Sequence, residues 1–310
     1  MGNHLVKKIL VIYYTQTGQI KKITDSILSV VKESGIEIEY AEICPVPAFP
    51  FPWGSDNFFQ AFPETVKAIP CKIEPLKNKS NDYDLIILAY QPWYLSISIP
   101  VHSFLQSAEA KKLFLNKPVI TIIGCRNMWI MAQEKVKKLL ADSKANLIGN
   151  IVLVDKASNL LSVISIVQWL LKGKKEKYLG IIPEAGVSEK DITNASHFGV
   201  PITQAIQSDD FVNLQNKLNS LGAVKIKSDL LFFEKNGSRI FSIWANFILK
   251  KGNYGDAKRT IWLRLFKYYL LAALFVITPI ISLIYLILSP FIYFLTKKEI
   301  NYYSQNKLRT

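Results

Sequence analysis

Residues 268–296 read YYLLAALFVITPIISLIYLILSPFIYFLT, a run of 29 positions without one charge. Such a run must leave water, and about 20 apolar residues already cross a ~30 Å hydrocarbon core. A membrane segment is therefore predicted. As one helix it would reach roughly 43 Å, more than a single core requires, and Pro279 and Pro290 interrupt it. Two arrangements stay open: a single tilted helix kinked at Pro279, or a shallow hairpin turning there. Basic residues on both flanks, Lys267 and Lys297 nearest, favour the hairpin with both flanks cytoplasmic.

The charge sits beside this run. Of a net charge of +14, residues 250–310 carry +8, from ten basic residues against Asp256 and Glu299. The other 249 residues hold 28 basic and 22 acidic side chains, an ordinary balance for a soluble domain. Basicity next to a lipid-length segment reads as affinity for an anionic inner leaflet, at about 1 kcal/mol per residue near the surface. No nucleic-acid module accompanies it, so nucleic acid is not expected as a partner. Residues 1–10, MGNHLVKKIL, lack a signal-peptide core, which places the bulk of the chain on the cytoplasmic face of the inner membrane. Three cysteines, Cys44, Cys71 and Cys125, have no metal-ligand spacing; neither a disulfide framework nor a metal site is expected.

Ahead of residue 208 the pattern alternates. Short apolar runs at 8–14, 37–43, 84–90, 118–124 and 147–154 read as strands. Helical patterns fall at 19–33, where Ile20, Ile23, Ile27, Val30 and Val31 share a face, and at 101–110, 128–141 and 189–207. Continuous apolar strands alternating with helices indicate an α/β fold, a doubly wound parallel five-stranded sheet covered on both faces. Two insertions interrupt it. Residues 44–75 hold seven prolines among many aromatic residues, which excludes regular helix through most of the stretch, and residues 157–177 form an apolar helix with a lysine-rich end. That second helix either lies on a membrane surface or packs on the sheet. Residues 209–260 read as a connecting segment: a short helix, a hairpin-like pair of strands near Asn236-Gly237, and an amphipathic helix. Residues 261–310 form the helical membrane anchor with its basic flanks.

Ligands of open parallel sheets bind beyond the carboxyl ends of the strands. Three loops there carry chemistry. Thr15-Gln16-Thr17-Gly18-Gln19 sets hydroxyls and backbone N–H groups at a helix N-terminus, a phosphate-binding arrangement. Residues 90–96, YQPWYLS, offer aromatic faces to a planar ring, and residues 124–129, GCRNMW, supply a tight turn with a cation and an indole.

These loops, in the runs KILVIYYTQTGQ, AYQPWYLSISIPVHSFL and KPVITIIGC followed by QEKVKKLL, resemble the flavin-binding loops of the flavodoxin-like family over roughly residues 7–208. That resemblance implies flavin mononucleotide (FMN) as cofactor. Thr15, Gln16, Thr17, Gly18 and Gln19 would hold its phosphate, Pro92, Trp93 and Tyr94 would flank the ring, and Gly124 and Cys125 would lie on the ring's other side. Ile20 departs from the family pattern, which carries a hydroxyl residue there, so one phosphate contact is lost.

A narrower resemblance runs nearly end to end. AFPFPWGSDNFFQAFPETV, AYQPWYLS, GCRNMWIMAQEKV and the basic, apolar C-terminal region are similar to the dialkylresorcinol condensing enzyme family of aryl-polyene and flexirubin-type pigment pathways. It implies a membrane-associated, flavin-dependent aromatase working beside a ketosynthase. The substrate would be a lipid-like cyclohexanedione and the product a 2,5-dialkylresorcinol.

Aromatisation needs a proton taken from beside a carbonyl and a hydride from the neighbouring carbon. Arg126 is the candidate clamp for a substrate oxygen, since a guanidinium is permanently charged and bidentate. Tyr94 and His102 are candidates to move the proton. Cys125 reads as a packing residue rather than a nucleophile. Trp53, Phe58, Phe59, Phe62 and Trp129 are candidates to line an apolar substrate channel. Two other readings stand beside this one: a flavodoxin-type electron carrier or quinone reductase at the membrane, and a flavin-free scaffold that docks the ketosynthase.

Overall fold

A computed structural model describes residues 6–80, 82–156, 159–175 and 184–309 of the chain. The expected insertion at 157–177 thus falls partly outside the described residues. In chain order the elements are β1 (Lys8–Tyr13), α1 (Gln19–Glu33), β2 (Glu37–Glu42), α2 (Gly54–Gln60), α3 (Phe62–Lys67), β3 (Leu85–Tyr90), β4 (Pro92–Trp93), β5 (Ser96–Ile97), α4 (Ile99–Gln106) and α5 (Ala108–Phe114). They continue with β6 (Pro118–Cys125), α6 (Ile130–Asp142), β7 (Asn146–Val154), α7 (Asn159–Lys172), α8 (Glu189–Asn194), α9 (Gly199–Ser208), α10 (Leu214–Ser220), α11 (Ser228–Leu249), α12 (Thr260–Ala272) and α13 (Thr278–Tyr303).

Strand β1 shows why the sheet is buried on both sides. Its Leu10 and Ile12 enter one hydrophobic core, while Ile9, Val11 and Tyr13 enter the other. A strand covered on both faces loses the polar–apolar alternation of a half-exposed one, hence the unbroken apolar runs. The five long strands pair in parallel in the order β2-β1-β3-β6-β7, which is the flavodoxin-like order. Helices α1, α8, α9 and α10 cover one face. Helices α4, α5 and α6 cover the other, joined there by Leu231 of α11 and Tyr303. The chain leaves β1 toward β2 and returns to place β3 on the opposite side, so the crevice at the carboxyl ends of β1 and β3 is the switch point of this sheet.

Several expectations are refined. The helix expected over 101–110 is two helices, because Ser107 adopts an extended backbone and caps α5 by accepting from the Ala110 N–H at 3.0 Å. In the proline–aromatic insertion four prolines precede Trp53, whereas Pro63 falls in the first turn of α3, where its missing N–H costs nothing. Two short helices, α2 and α3, therefore form between the proline clusters.

The expected hairpin near Asn236-Gly237 is corrected. Both residues lie inside α11, where the Asn236 amide donates to the Phe232 carbonyl one turn back at 2.9 Å. Gly237 marks a close approach instead of a turn: a Cβ there would stand 3.0 Å from the Leu95 side chain.

The terminal segment is helical from Thr260 to Tyr303, with a π-helical turn at Ala273–Ile277. No hairpin turn occurs at Pro279. A proline in a helix has no N–H and pushes away the carbonyl four residues back; the widened turn just before it absorbs the misfit. The Ala273 carbonyl accepts both the backbone N–H of Thr278 and, at 2.8 Å, its hydroxyl, which fastens the widened turn. Residues Ala257–Ile281 are long and apolar enough to cross a membrane. The start of the segment is tied to the proline–aromatic insertion. Arg259, fully buried, holds Glu64 in a bidentate pair at 2.6 and 2.9 Å and donates to the Gln60 carbonyl at 2.6 Å.

Candidate active site

A cavity of about 220 Å³ lies at the switch point. Its walls come from the loop after β1 (Gln16, Thr17, Gln19, Ile20), the loop after β3 (Gln91, Pro92, Trp93, Tyr94) and the end of β6 (Gly124, Cys125, Arg126). The three loops singled out in the sequence do converge.

In the first loop, Gly18 takes the left-handed conformation (φ 78°) and turns the chain into α1. The N–H groups of the first helical turn have no partner within the helix and face the loop. The Thr15 hydroxyl oxygen is buried with no hydrogen-bond partner. Gln16 and Gln19, by contrast, are engaged. Gln16 donates to the Pro50 carbonyl at 2.7 Å and accepts from the Tyr14 hydroxyl, which ties the loop to the proline–aromatic insertion. Gln19 forms a two-way bond with the backbone of Val187, both distances 3.1 Å. Their amides brace the loop, leaving hydroxyls and backbone N–H groups to face a ligand.

The second loop is a strained aromatic platform. Tyr94 and Leu95 both have positive φ, 47° and 59°, forming the two-residue turn between β4 and β5. Two successive non-glycine residues in this region cost about 1–3 kcal/mol each. Packing holds them: Trp93 meets Trp53 edge-on at 4.6 Å, Tyr94 meets Phe58 at 5.0 Å, and the Tyr94 hydroxyl donates to the Phe58 carbonyl at 2.5 Å. Burial raises the Tyr94 phenol well above its ordinary value, so it stays protonated.

Arg126 borders the cavity from the third loop. Burial brings its guanidinium down to about 10 while Asp155 opposes the shift, and the group stays cationic at neutral pH. Burial drives the Cys125 thiol far upward, away from the thiolate, in keeping with a packing role.

His102 does not border this cavity. It is 5% exposed inside α4, and burial together with nearby Lys135 lowers it to about 4, so it is neutral and lines neither this cavity nor the larger apolar one beside it. Among the residues proposed for the substrate channel, Trp53 and Phe58 line the cavity. Phe62 and Trp129 do not: Phe62 stacks on Phe266 at 3.7 Å, and Trp129 sits in the core beneath the sheet.

Sequence reasoning missed the roof. Helix α7 brings Ile166, Trp169 and Leu170 over the cavity and is joined to the proline–aromatic insertion, with the Trp53 N–H donating to the Leu170 carbonyl at 2.8 Å. Gly186 closes the side. At φ +83° with a would-be Cβ 2.7 Å from the Gln19 amide and 2.8 Å from the Trp169 ring, no other residue fits there. A second, more apolar cavity of about 550 Å³ adjoins the first and shares Phe58, Tyr94, Arg126, Ile166 and Leu170 with it. Phe59 lines it, as do α11 and the stretch 267–281 of the terminal segment.

Glu234 of α11 was also missed. It is 1% exposed and accepts the Met131 N–H at 2.7 Å, thereby capping α6 beside the Arg126 loop. Burial, the largest cause, raises its carboxyl from 4.5 to about 7 against the helix N–H groups. The folded chain holds this proton more tightly than the unfolded one. The group's contribution to stability is therefore complete below about pH 4.5 and is lost as the pH rises to about 7, on the order of 3 kcal/mol in all. Glu234→Gln, which keeps the acceptor, is expected to shrink the fall in thermal midpoint between pH 5 and pH 8; an unchanged fall would disprove the shift.

No protein-family model and no curated protein matches the sequence. Solved structures do. The chain is similar to a flavoprotein of Lactobacillus acidophilus NCFM in complex with FMN (20% identity, TM-score 0.40, covering 47% of this chain and 93% of that one). It is also similar to the flavodoxin of Streptococcus pneumoniae TIGR4 (10% identity, TM-score 0.36, covering 66% and 99%). A third match is RosB with a bound formylriboflavin-phosphate intermediate (11% identity, TM-score 0.38, covering 72% and 91%).

Proposed function

We propose that the protein is a membrane-associated, FMN-dependent oxidoreductase that aromatises a lipid-like cyclohexanedione to a 2,5-dialkylresorcinol, beside the ketosynthase that supplies the ring. One observation carries the reading. The loop that leads into α1, an aromatic platform and the Arg126 cation meet in one cavity, with a larger apolar cavity alongside and the unpartnered Thr15 hydroxyl in the same loop just outside the lining. The FMN-bound neighbour and the resemblance of the three loops agree with it.

The residues fit the cofactor. Thr15 Oγ1, Thr17 and the first-turn N–H groups of α1 would hold the phosphate, where the helix dipole favours an anion. Gln16 and Gln19 keep that loop in place through their bonds to Pro50 and Val187. Trp93 and Tyr94 would bound the ring on one side, Gly124 and Cys125 on the other. When bound, FMN supplies the hydride acceptor.

The rest falls to the protein. Arg126, placed at the junction of the two cavities, would bind the carbonyl oxygen of the substrate ring. Its charge stabilises the enolate that forms as the proton beside that carbonyl leaves. Loss of that proton to solvent and of one hydride to the flavin, with enolisation of both carbonyls, would convert the dione to the aromatic diol. Tyr94, its proton already donated to Phe58, orients the ring. Trp169 and α7 exclude water, and the apolar cavity accommodates an alkyl or polyene tail. In this reading the chain works on the cytoplasmic face of the inner membrane, where such a substrate partitions.

Protein purified with added FMN is expected to show flavin absorption and, without oxygen, to lose it on addition of the cyclohexanedione. Thr15→Val should weaken FMN binding about tenfold, the loss of one hydrogen bond to a charged group. A protein that stays colourless removes the cofactor. One that reduces quinones with NAD(P)H and ignores cyclohexanediones is a quinone reductase instead.

A further inference from the structure

The terminal segment begins and ends on the same body. At its start, Arg259 is buried against Glu64, and Phe266 stacks on Phe62 at 3.7 Å. At its end, the Tyr302 hydroxyl donates to Glu134 of α6 at 2.5 Å. The Asn219 amide of α10 donates to the Ser304 carbonyl at 3.0 Å, and the Asn306 amide donates to Gln215 at 2.9 Å. Gln215 in turn accepts from the Asn150 N–H of β7 at 2.6 Å, so the chain of bonds reaches the central sheet. Just before these contacts, Glu299 pairs with Lys235 of α11 at 2.6 Å.

Between the two docked ends the segment turns apolar side chains outward. Leu271, Val276, Ile277, Ile280 and Leu283 are exposed, the last 63%. Such a surface requires a cover. A single crossing would carry the Tyr302–Arg309 stretch some 30 Å to the far side and break the contacts at that end, those of Glu299, Tyr302, Ser304 and Asn306. Two full crossings would need about 40 apolar residues, more than the 29-residue uncharged run supplies.

We propose that this segment embeds in one leaflet of a lipid bilayer from the side of the α/β domain and returns to it, so that both basic flanks face the same aqueous compartment. The charges select the occupant. Lys250, Lys251 and Arg264 on one flank and Lys297, Lys298 and Lys307 on the other are exposed. They match anionic headgroups and would repel one another across a contact with a second copy of the chain. The exposed apolar band between them is the part that enters the acyl region, as an in-plane helix does. The inference concerns topology and stands apart from the redox chemistry.

The test uses the full chain made by cell-free synthesis in the presence of vesicles of equal parts phosphatidylcholine and phosphatidylglycerol. Val212→Cys reports on the α/β domain and Lys307→Cys on the tail; both positions are exposed, and the parent chain supplies the background of its own cysteines. The chain should float with the vesicles. An impermeant maleimide should label the two positions equally, with no increase after detergent. A fluorophore at Val276→Cys should be quenched by lipids carrying a nitroxide in the acyl chain. Labelling of the Lys307→Cys position only after detergent would show a single crossing and overturn the proposal. So would a lipid-free dimer that fails to float, which would assign the apolar band to a second copy.

Discussion

Arg259→Met is expected to destabilise the protein by about 3–5 kcal/mol, because it leaves the Glu64 carboxylate buried without its partner. The pair is bidentate, and Arg259 also satisfies the Gln60 carbonyl, so three hydrogen bonds go with it. The thermal midpoint should drop by on the order of 10 °C. Glu64→Gln should fall in the same direction, since it leaves the cation uncompensated. The double variant Glu64→Met, Arg259→Met is the informative one: replacing both charges by apolar groups should recover most of the loss. If the double variant is as unstable as the sum of the singles, the pair is not the coupling element between the terminal segment and the proline–aromatic insertion.

The second large effect concerns turnover. Under the proposed reaction Arg126→Met should reduce kcat/KM for the cyclohexanedione about 100-fold, equivalent to losing one strong charge-assisted contact to a developing oxyanion. Arg126→Lys should recover only part of it, because an ammonium lacks the planar, two-pronged donor geometry. Flavin absorption should persist in both variants, and thermal midpoints read in parallel separate a catalytic loss from unfolding. Since Asp155 lies in the electrostatic surroundings of Arg126, a modest loss of stability is expected in the methionine variant. Unchanged kinetics with intact flavin would remove Arg126 from the reaction.

What was legible in the chain followed from local periodicity. Runs such as LIILAY and PVITIIGC cannot be half-exposed strands, and their alternation with helical patterns leaves few alternatives to a doubly wound parallel sheet. Gln16 and Gln19 line the cavity as the loop pattern suggests, and they also brace the loop, which the pattern does not show. Their types suggest ligand contacts, but their partners, Pro50 and Val187, lie in segments far along the chain. His102 illustrates the opposite limit. A histidine just after a ring-contacting loop looks available, yet α4 is buried on all sides and His102 does not border the cavity.

The Asn-Gly pair at 236–237 failed for a related reason. This dipeptide signals a tight turn when strands flank it, but here the flanking residues carry helical periodicity, and the glycine lies close against Leu95 in a different part of the chain. No window of sequence contains that contact.

By itself the sequence determined the sheet, the three loops at its carboxyl edge and the presence of a segment that must leave water, because each depends on side-chain pattern over a few turns or strands. Only the tertiary structure decided what closes the crevice and where the apolar run goes. The roof of α7, the Glu234 cap on α6, the buried Arg259–Glu64 pair and the return of Tyr302 and Asn306 to the domain are contacts between residues far apart along the chain. Their energies come from burying specific partners against each other, a property of the packed chain that no local pattern records.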